Sequence, residues 1–241
     1  MDYEVDVVPS KATYFVSEVV QNNVLKRRGI ACAVFYKDAI FLLTSSCAVE
    51  ETDIEKKLIA ERFSSKHFGD YRLEVSFSRQ LGNFTFLKIH KEYNVGTIGR
   101  SLLICLNIES PTYEMKESAK PFCGGSQFKL QFKCVGRSTT IEVISEKRVE
   151  RTSIIGAPII IEKKLMSRKH SGRFSVIGVV GLTSEEKLCP CYWDPSHEKT
   201  RSLGLHETTV YHENKTIKCI IFRDERWFKT SKTFYSLISR Q

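Results

Sequence analysis

The sequence predicts an all-β fold. Its apolar segments are short and rich in β-branched and aromatic residues, several alternate with polar residues at the two-residue period of a strand, and helix-period patterns occur in only two places. Of the 241 residues, 41% are hydrophobic and 11% aromatic, with only 13 Gly and 6 Pro. Such a chain can fill a sizeable core, and the composition excludes a disordered, collagen-like or linker protein.

Taken in order, strands are expected at residues 30–36 (IACAVFY), 39–44, 73–77 and 84–89, and then at 128–134, 140–144, 159–161 and 174–180. A last pair, 208–210 and 217–222, flanks the turn-like 213–215. The first helix is expected to begin at Thr52, with Glu55 three residues on as a capping box ahead of Ile54, Leu58 and Ile59. The second is at the C-terminus, where Phe234, Leu237 and Ile238 make an amphipathic face. Between the two groups of strands, residues 107–121 are polar, contain two Pro and have no clear period. This divides the chain into a β unit over 1–108, a linker over 109–120 and a second β unit over 121–241, the latter interrupted by a Cys- and His-containing loop at 183–207.

Lys and Arg number 37 against 28 Asp and Glu, a net charge of +9. The basic residues fall in scattered clusters such as Lys26-Arg27-Arg28 and Lys56-Lys57, interleaved with Glu. No RNP-like, zinc-finger or Gly-rich phosphate motif accompanies them, so they read as solvated surface, with nucleic acid a less favoured partner. No apolar run approaches the roughly 18 to 20 residues of a membrane span, so no membrane partner is expected. The N-terminal MDYEVDVVPSK has acids and a Pro where a signal peptide needs a basic start and an apolar stretch. A cytoplasmic or nuclear protein, not a secreted one, is expected, its eight cysteines reduced and unpaired.

Three segments, in chain order, resemble the landmarks of the trypsin-like (chymotrypsin-fold) serine proteases. Residues 39–49 (AIFLLTSSCAV) resemble the L-T-A-A-H-C-V strand-to-turn signature, with Cys47 in the slot of the general-base His. Residues 82–89 (GNFTFLKI) are similar to N-D-I-A-L-L-K-L, with Asn83 in the slot of the orienting Asp. Residues 153–160 (SIIGAPII) resemble G-D-S-G-G-P-L-V, with Ile155 in the nucleophile slot, Ser153 replacing a glycine of the oxyanion loop, and Gly156 retained. The strand of the I-V-S-W-G type that follows in the family is matched by 177–182 (IGVVGL). The slots are 36 and 72 residues apart, which suits compact barrels with short loops. The resemblance, from about residue 29 onward, implies two six-stranded-type antiparallel β-barrels and a C-terminal helix.

It also implies that the chemistry is gone. Acyl transfer needs a nucleophile, a base within hydrogen-bond reach and a group that fixes the base. Ile155 has no nucleophilic atom, Asn83 cannot stabilise an imidazolium, and Cys47 stands where the base belongs. The resemblance therefore implies a non-catalytic member, a pseudoprotease that binds a protein partner, at the cleft near Cys47 and Ile155 or through an exposed element at Tyr192 and Trp193. A basic β-barrel associated with nucleic acid and a hydrolase with an unrecognised site are the alternatives. Cys189, Cys191, His197 and His206 supply zinc-type ligands, but C-x-C followed by scattered His is poorer spacing than paired C-x-x-C knuckles, so no metal and no cofactor is expected.

Overall fold

A computed structural model describes residues 7–37, 39–63, 71–94, 102–123, 128–136, 138–163, 173–198 and 218–221. A short helix, α1 (Val7–Ala12), leads into β1 (Thr13–Val19), β2 (Leu25–Tyr36), β3 (Ala39–Ser45), β4 (Leu58–Arg62), β5 (Tyr71–Leu81), β6 (Phe84–Asn94) and β7 (Leu102–Ile108). After helix α2 (Tyr113–Ser118) come β8 (Lys120–Pro121), β9 (Phe128–Val135), β10 (Ser138–Ser145), β11 (Pro158–Lys163), β12 (Arg173–Leu182), β13 (Leu188–Tyr192) and β14 (Lys218–Ile221).

The fold is all-β. In its first half, β1 pairs with β2, β2 with β3, β3 with β6, β6 with β5, β5 with β4, and β4 returns to β1, every pairing antiparallel. Register shifts between Val16 and Ser17 and at two points along β5 give the strands the local bends that such curvature needs. From Ile30 to Tyr36, β2 reads as one apolar run because both of its faces are covered. Ala31 and Ala33 join Tyr14, Leu42, Leu58, Leu73 and Leu87 in one core, while Cys32, Val34 and Tyr36 join Phe84, Phe86, Val176 and Trp193 in another. Strand β5, by contrast, buries Leu73, Val75 and Phe77 and turns Glu74 and Ser76 outward.

The seam between the halves is β7, which pairs in parallel with β2 on one side and β12 on the other. In the second half β12 lies between β11 and β13, and β11 also pairs with β8. The β9–β10 hairpin forms its own two-stranded sheet. Packing rather than a ladder attaches it, since Leu130, Phe132, Ile141 and Val143 share a core with Ile154, Ile159, Val180 and Tyr192.

Beyond α1, β1 and β7, which the sequence expectation did not include, three elements depart from it. No helix starts at Thr52: a single 3-10 turn spans Glu51–Asp53, and Leu58–Arg62 is strand. The cap belongs two residues earlier, with Asp53 Oδ2 accepting the Glu50 N–H at 2.9 Å, and Leu58 and Ala60 point into the core between β1 and β5, so tertiary pairing overrides the helical spacing. Within the supposed linker, Thr112 caps α2, its Oγ1 accepting the Met115 N–H at 3.3 Å. The inserted loop is in part β13, held antiparallel to β12 from Gly178↔Tyr192 to Leu182↔Leu188. The C-terminal helix and the strand at 208–210 lie outside the described residues.

Candidate functional site

Strand β3 delivers the base slot. Ser45, buried at the strand end, accepts the Cys47 N–H through its Oγ at 3.2 Å, and its carbonyl accepts the Ala48 and Val49 N–H groups at 2.9 and 3.3 Å. This turn buries Ala48 and Val49 and leaves Cys47 exposed, on a shallow hollow of ≈300 Å³ lined also by Ser46, Glu50, Glu51, Thr52 and Gln80. The lining brings two carboxylates to the thiol and none of the cations or imidazoles that activate a nucleophilic cysteine.

Asn83 lies on the tight β5–β6 turn, after Gly82 with its left-handed φ of +57°. Its carbonyl accepts the Ser46 N–H at 3.0 Å, which ties the orienter slot to the residue next to the base slot. The nucleophile slot follows a 3-10 turn at Arg151–Ser153. Ile30 N–H donates to the Ile155 carbonyl at 2.8 Å, and Gly29 lies between Ala48 and Ile155 so closely that a β-carbon there would stand 2.7 Å from the Ala48 Cβ and 2.8 Å from the Ile155 oxygen. The segments carrying Cys47 and Asn83 are thus bonded directly, and Gly29 and Ile30 of β2 bridge them to the segment carrying Ile155.

The side chains in those slots do not face one another across an open cleft. Ile155 is 6% exposed and shares the apolar core of Ala31, Leu42, Ala48 and Val49. The main-chain donors are committed as well. Ser153 N–H donates to the Glu150 carbonyl at 3.0 Å, and Ile154 and Ile155 N–H both donate to the Arg151 carbonyl at 2.9 Å. The N–H groups of Ser153 and Ile155, which the resemblance would place at an oxyanion hole, are both consumed inside the turn. Gly156 then takes φ +83° and donates to the Val180 carbonyl at 2.8 Å, which fixes the turn to β12. Across its outer side, Arg151 Nη1 reaches Glu186 Oε2 at 2.7 Å, an exposed pair of small energetic weight.

Beneath the Cys47 turn is a charged anchor that sequence reasoning missed. Arg28, grouped above with solvated basic surface, donates to Asp53 Oδ2 at 2.9 Å, to Glu18 Oε2 at 3.4 Å and, through Nε, to the Ala48 carbonyl at 3.2 Å. Lys56 pairs with Asp53 Oδ1 at 2.6 Å and with Glu18 at 3.5 Å. Burial favours the neutral form of Asp53, but hydrogen bonds from Lys56 and the Glu50 amide, with the nearby charges of Arg28 and Lys56, outweigh it and hold the carboxyl below its ordinary range. The one legible signal was Asp53 itself, an acid three residues after Glu50.

Tyr192 and Trp193 form no exposed element. Trp193 is 5% exposed and makes edge contacts with Tyr36, Phe84 and Phe86 at ring-centroid distances of 5.1 to 5.9 Å, and Tyr192 is half-buried in the second-half core. The indole is buried because β13, paired beside β12, leads it into the core that Tyr36, Phe84 and Phe86 share with Val176 and Val179. Of the zinc-type residues, Cys189 and Cys191 share one face of β13, while the His197 side chain and His206 lie outside the described residues. Among the described residues no group of three or more His, Cys, Asp or Glu is arranged to hold a metal ion, and none of the helices is long and apolar enough to cross a membrane.

No family model and no curated protein matches the sequence. Among solved structures, the chain is similar to the apo MamO protease domain from Magnetospirillum magneticum, at 10% identity and a TM-score of 0.40, covering 80% of this chain and 97% of that one. It is also similar to the NSP4 proteinase from Equine Arteritis Virus, at 13% identity and a TM-score of 0.32, covering 90% of this chain and 93% of that one.

Proposed function

We propose that this chain is a trypsin-like module without peptidase activity, a pseudoprotease that works by binding a protein partner in the cytosol or nucleus. Its two β units, 1–108 and 121–241, are joined through 109–120. The observation that carries the reading is the turn at 150–156, where both positions that donate to an oxyanion in an active enzyme donate instead to Glu150 and Arg151 within the turn, and Ile155 fills the nucleophile slot with a buried side chain. Loss of a single oxyanion donor lowers turnover by roughly 10² to 10³, and loss of the nucleophile alone by about as much as loss of the whole triad. Partner contact is assigned to the hollow around Cys47, which is open and acidic at Glu50 and Glu51 and so favours a polar or basic segment.

The test is covalent labelling. Neither the native chain nor the triple variant Cys47→His, Asn83→Asp, Ile155→Ser is expected to react with a fluorophosphonate probe. The three side chains alone do not release the Ser153 and Ile155 N–H groups from the turn, and acyl transfer requires placement to within about half an ångström. Labelling of the native chain at a serine, abolished by unfolding, overturns the reading. In parallel, Glu50→Lys with Glu51→Lys is expected to weaken capture of the protein partner in a pull-down. A salt-sensitive, partner-independent affinity for nucleic acid in filter binding would place the function elsewhere.

A further inference from the structure

Strand β13 carries Cys189 and Cys191 with Pro190 between them. Residues two apart on a strand project from one face, and their α-carbons are separated by roughly 6.6 Å, near the upper end of the span that a disulfide bridges. The register sets Gly181 opposite Cys189 and Val179 opposite Cys191. Yet the atom nearest the absent β-carbon of Gly181 is the Cys191 sulfur, 2.5 Å from where that carbon would stand. The Cys191 thiol therefore leans back along the strand toward Cys189, over the one residue that leaves it room. On that face each thiol is close enough to shift the titration of the other.

Their environments are unequal. Cys191 is 8% exposed and Cys189 is partly open to solvent. The interaction with Cys191 outweighs partial burial and draws the Cys189 thiol down to about 7. The same interaction, burial and the nearby Cys189 and Cys47 push Cys191 up. An accessible thiol of lowered pKa beside a buried one of raised pKa is the asymmetry that thiol–disulfide exchange uses.

We propose that Cys189-Pro190-Cys191 is a reactive dithiol that exchanges with low-molecular-weight disulfides, Cys189 attacking and Cys191 resolving. The Cys189 thiolate attacks one sulfur of a disulfide RSSR, forming a mixed disulfide at Cys189 and expelling RS⁻. Cys191 gives its proton to that thiolate, and its sulfur attacks the Cys189 sulfur; the Cys189–Cys191 bond forms and the second RS⁻ leaves, taking a proton from solvent. Two electrons pass from the dithiol to RSSR, and one disulfide consumed yields two RSH. Because the bridge must draw in an extended strand, it belongs to the readily reduced, reversible class. The site is independent of the pseudoprotease reading: it lies on β13 and uses none of the slots at Cys47, Asn83 or Ile155.

The experiment treats the folded full chain, in a Cys47→Ser background, with glutathione disulfide as the probe, and follows it by intact mass and peptide mapping. The expected product has lost two hydrogens and carries a bridge mapped to Cys189 and Cys191, removed by mild reductant. Adding Cys191→Ser is expected to stop the reaction at a single glutathione adduct on Cys189, and adding Cys189→Ser to slow it by about tenfold or more, since the remaining thiol has little thiolate. A bridge between any other pair, an adduct on Cys189 that persists while Cys191 is intact, or equal rates for the two serine variants overturns the proposal. The mapping of the parent protein decides the matter even where a serine variant does not fold.

Discussion

Gly156→Ala is expected to destabilise the protein by about 4 kcal/mol, a large part of the 5 to 15 kcal/mol available to a folded domain. Two effects add. At φ +83° an L side chain is strained by about 1 to 2 kcal/mol. The new β-carbon would also collide with the Ile30 carbonyl oxygen and the Thr44 hydroxyl, which are themselves bonded, Thr44 Oγ1 donating to the Ile30 oxygen at 2.6 Å. Neither can yield, because Ile30 is fixed from the other side by its N–H bond to Ile155 and Thr44 is fully buried in β3. Gly136 is the internal control: its φ is +61°, but a β-carbon there meets nothing within 4 Å, so Gly136→Ala should lose only about 1 kcal/mol. Thermal unfolding should separate the two, with a fall in Tm of roughly 10 °C for Gly156→Ala and a few degrees for the control. Equal losses would mean that left-handed strain alone decides the position and that the contact with β2 and β3 is slack.

Asp53→Ala is expected to lose on the order of 2 kcal/mol, below the 3 to 5 of a fully buried pair because Arg28 and Lys56 still reach water. The carboxylate is 3% exposed and serves Arg28, Lys56 and the Glu50 amide at once, so its removal leaves the amide without its acceptor and frees the turn beneath Cys47. The pH dependence has a definite sign. Asp53 titrates lower in the folded than in the unfolded chain, so its contribution is present above the ordinary aspartate range near pH 4 and is lost as pH falls through the folded value. The parent protein should therefore lose stability more steeply than the variant below about pH 4, and the two should converge on acidification. Asp53→Asn, which keeps an acceptor for the Glu50 amide but not the ion pairs, should fall between them in urea titrations at neutral pH. A gap between parent and Asp53→Ala that persists unchanged into acid would assign the loss to packing rather than charge.

Both positions show where sequence reasoning ends. The strands at 30–36, 39–44, 73–77 and 84–89 were legible because each is short, β-branched or aromatic, and patterned by the face it buries. Others were not: 13–19 and 58–62, each paired on both sides, carry polar and charged residues among their apolar ones, and 188–192 is a Cys-Pro-Cys segment whose pairing with β12 no local signal announces. The helix expected at Thr52 failed for a related reason. Leu58 and Ile59 satisfy the helical spacing, but Leu58 and Ala60 also satisfy the strand period, and only neighbouring strands on both sides choose between the two.

By itself the sequence determined the β class, the order of the three segments that carry the resemblance and which residues, Cys47, Asn83 and Ile155, stand at their landmark positions, because chemical identity at a position does not depend on folding. The tertiary structure alone decided where Trp193 lies, that Arg28 and Asp53 anchor the Cys47 turn, that the Ser153 and Ile155 amides are consumed within their own turn, and that Cys191 leans over Gly181 toward Cys189. Each of these depends on contacts between segments far apart in the chain, and burial, hydrogen-bond partnership and thiol environment are properties of such contacts rather than of any local stretch of residues.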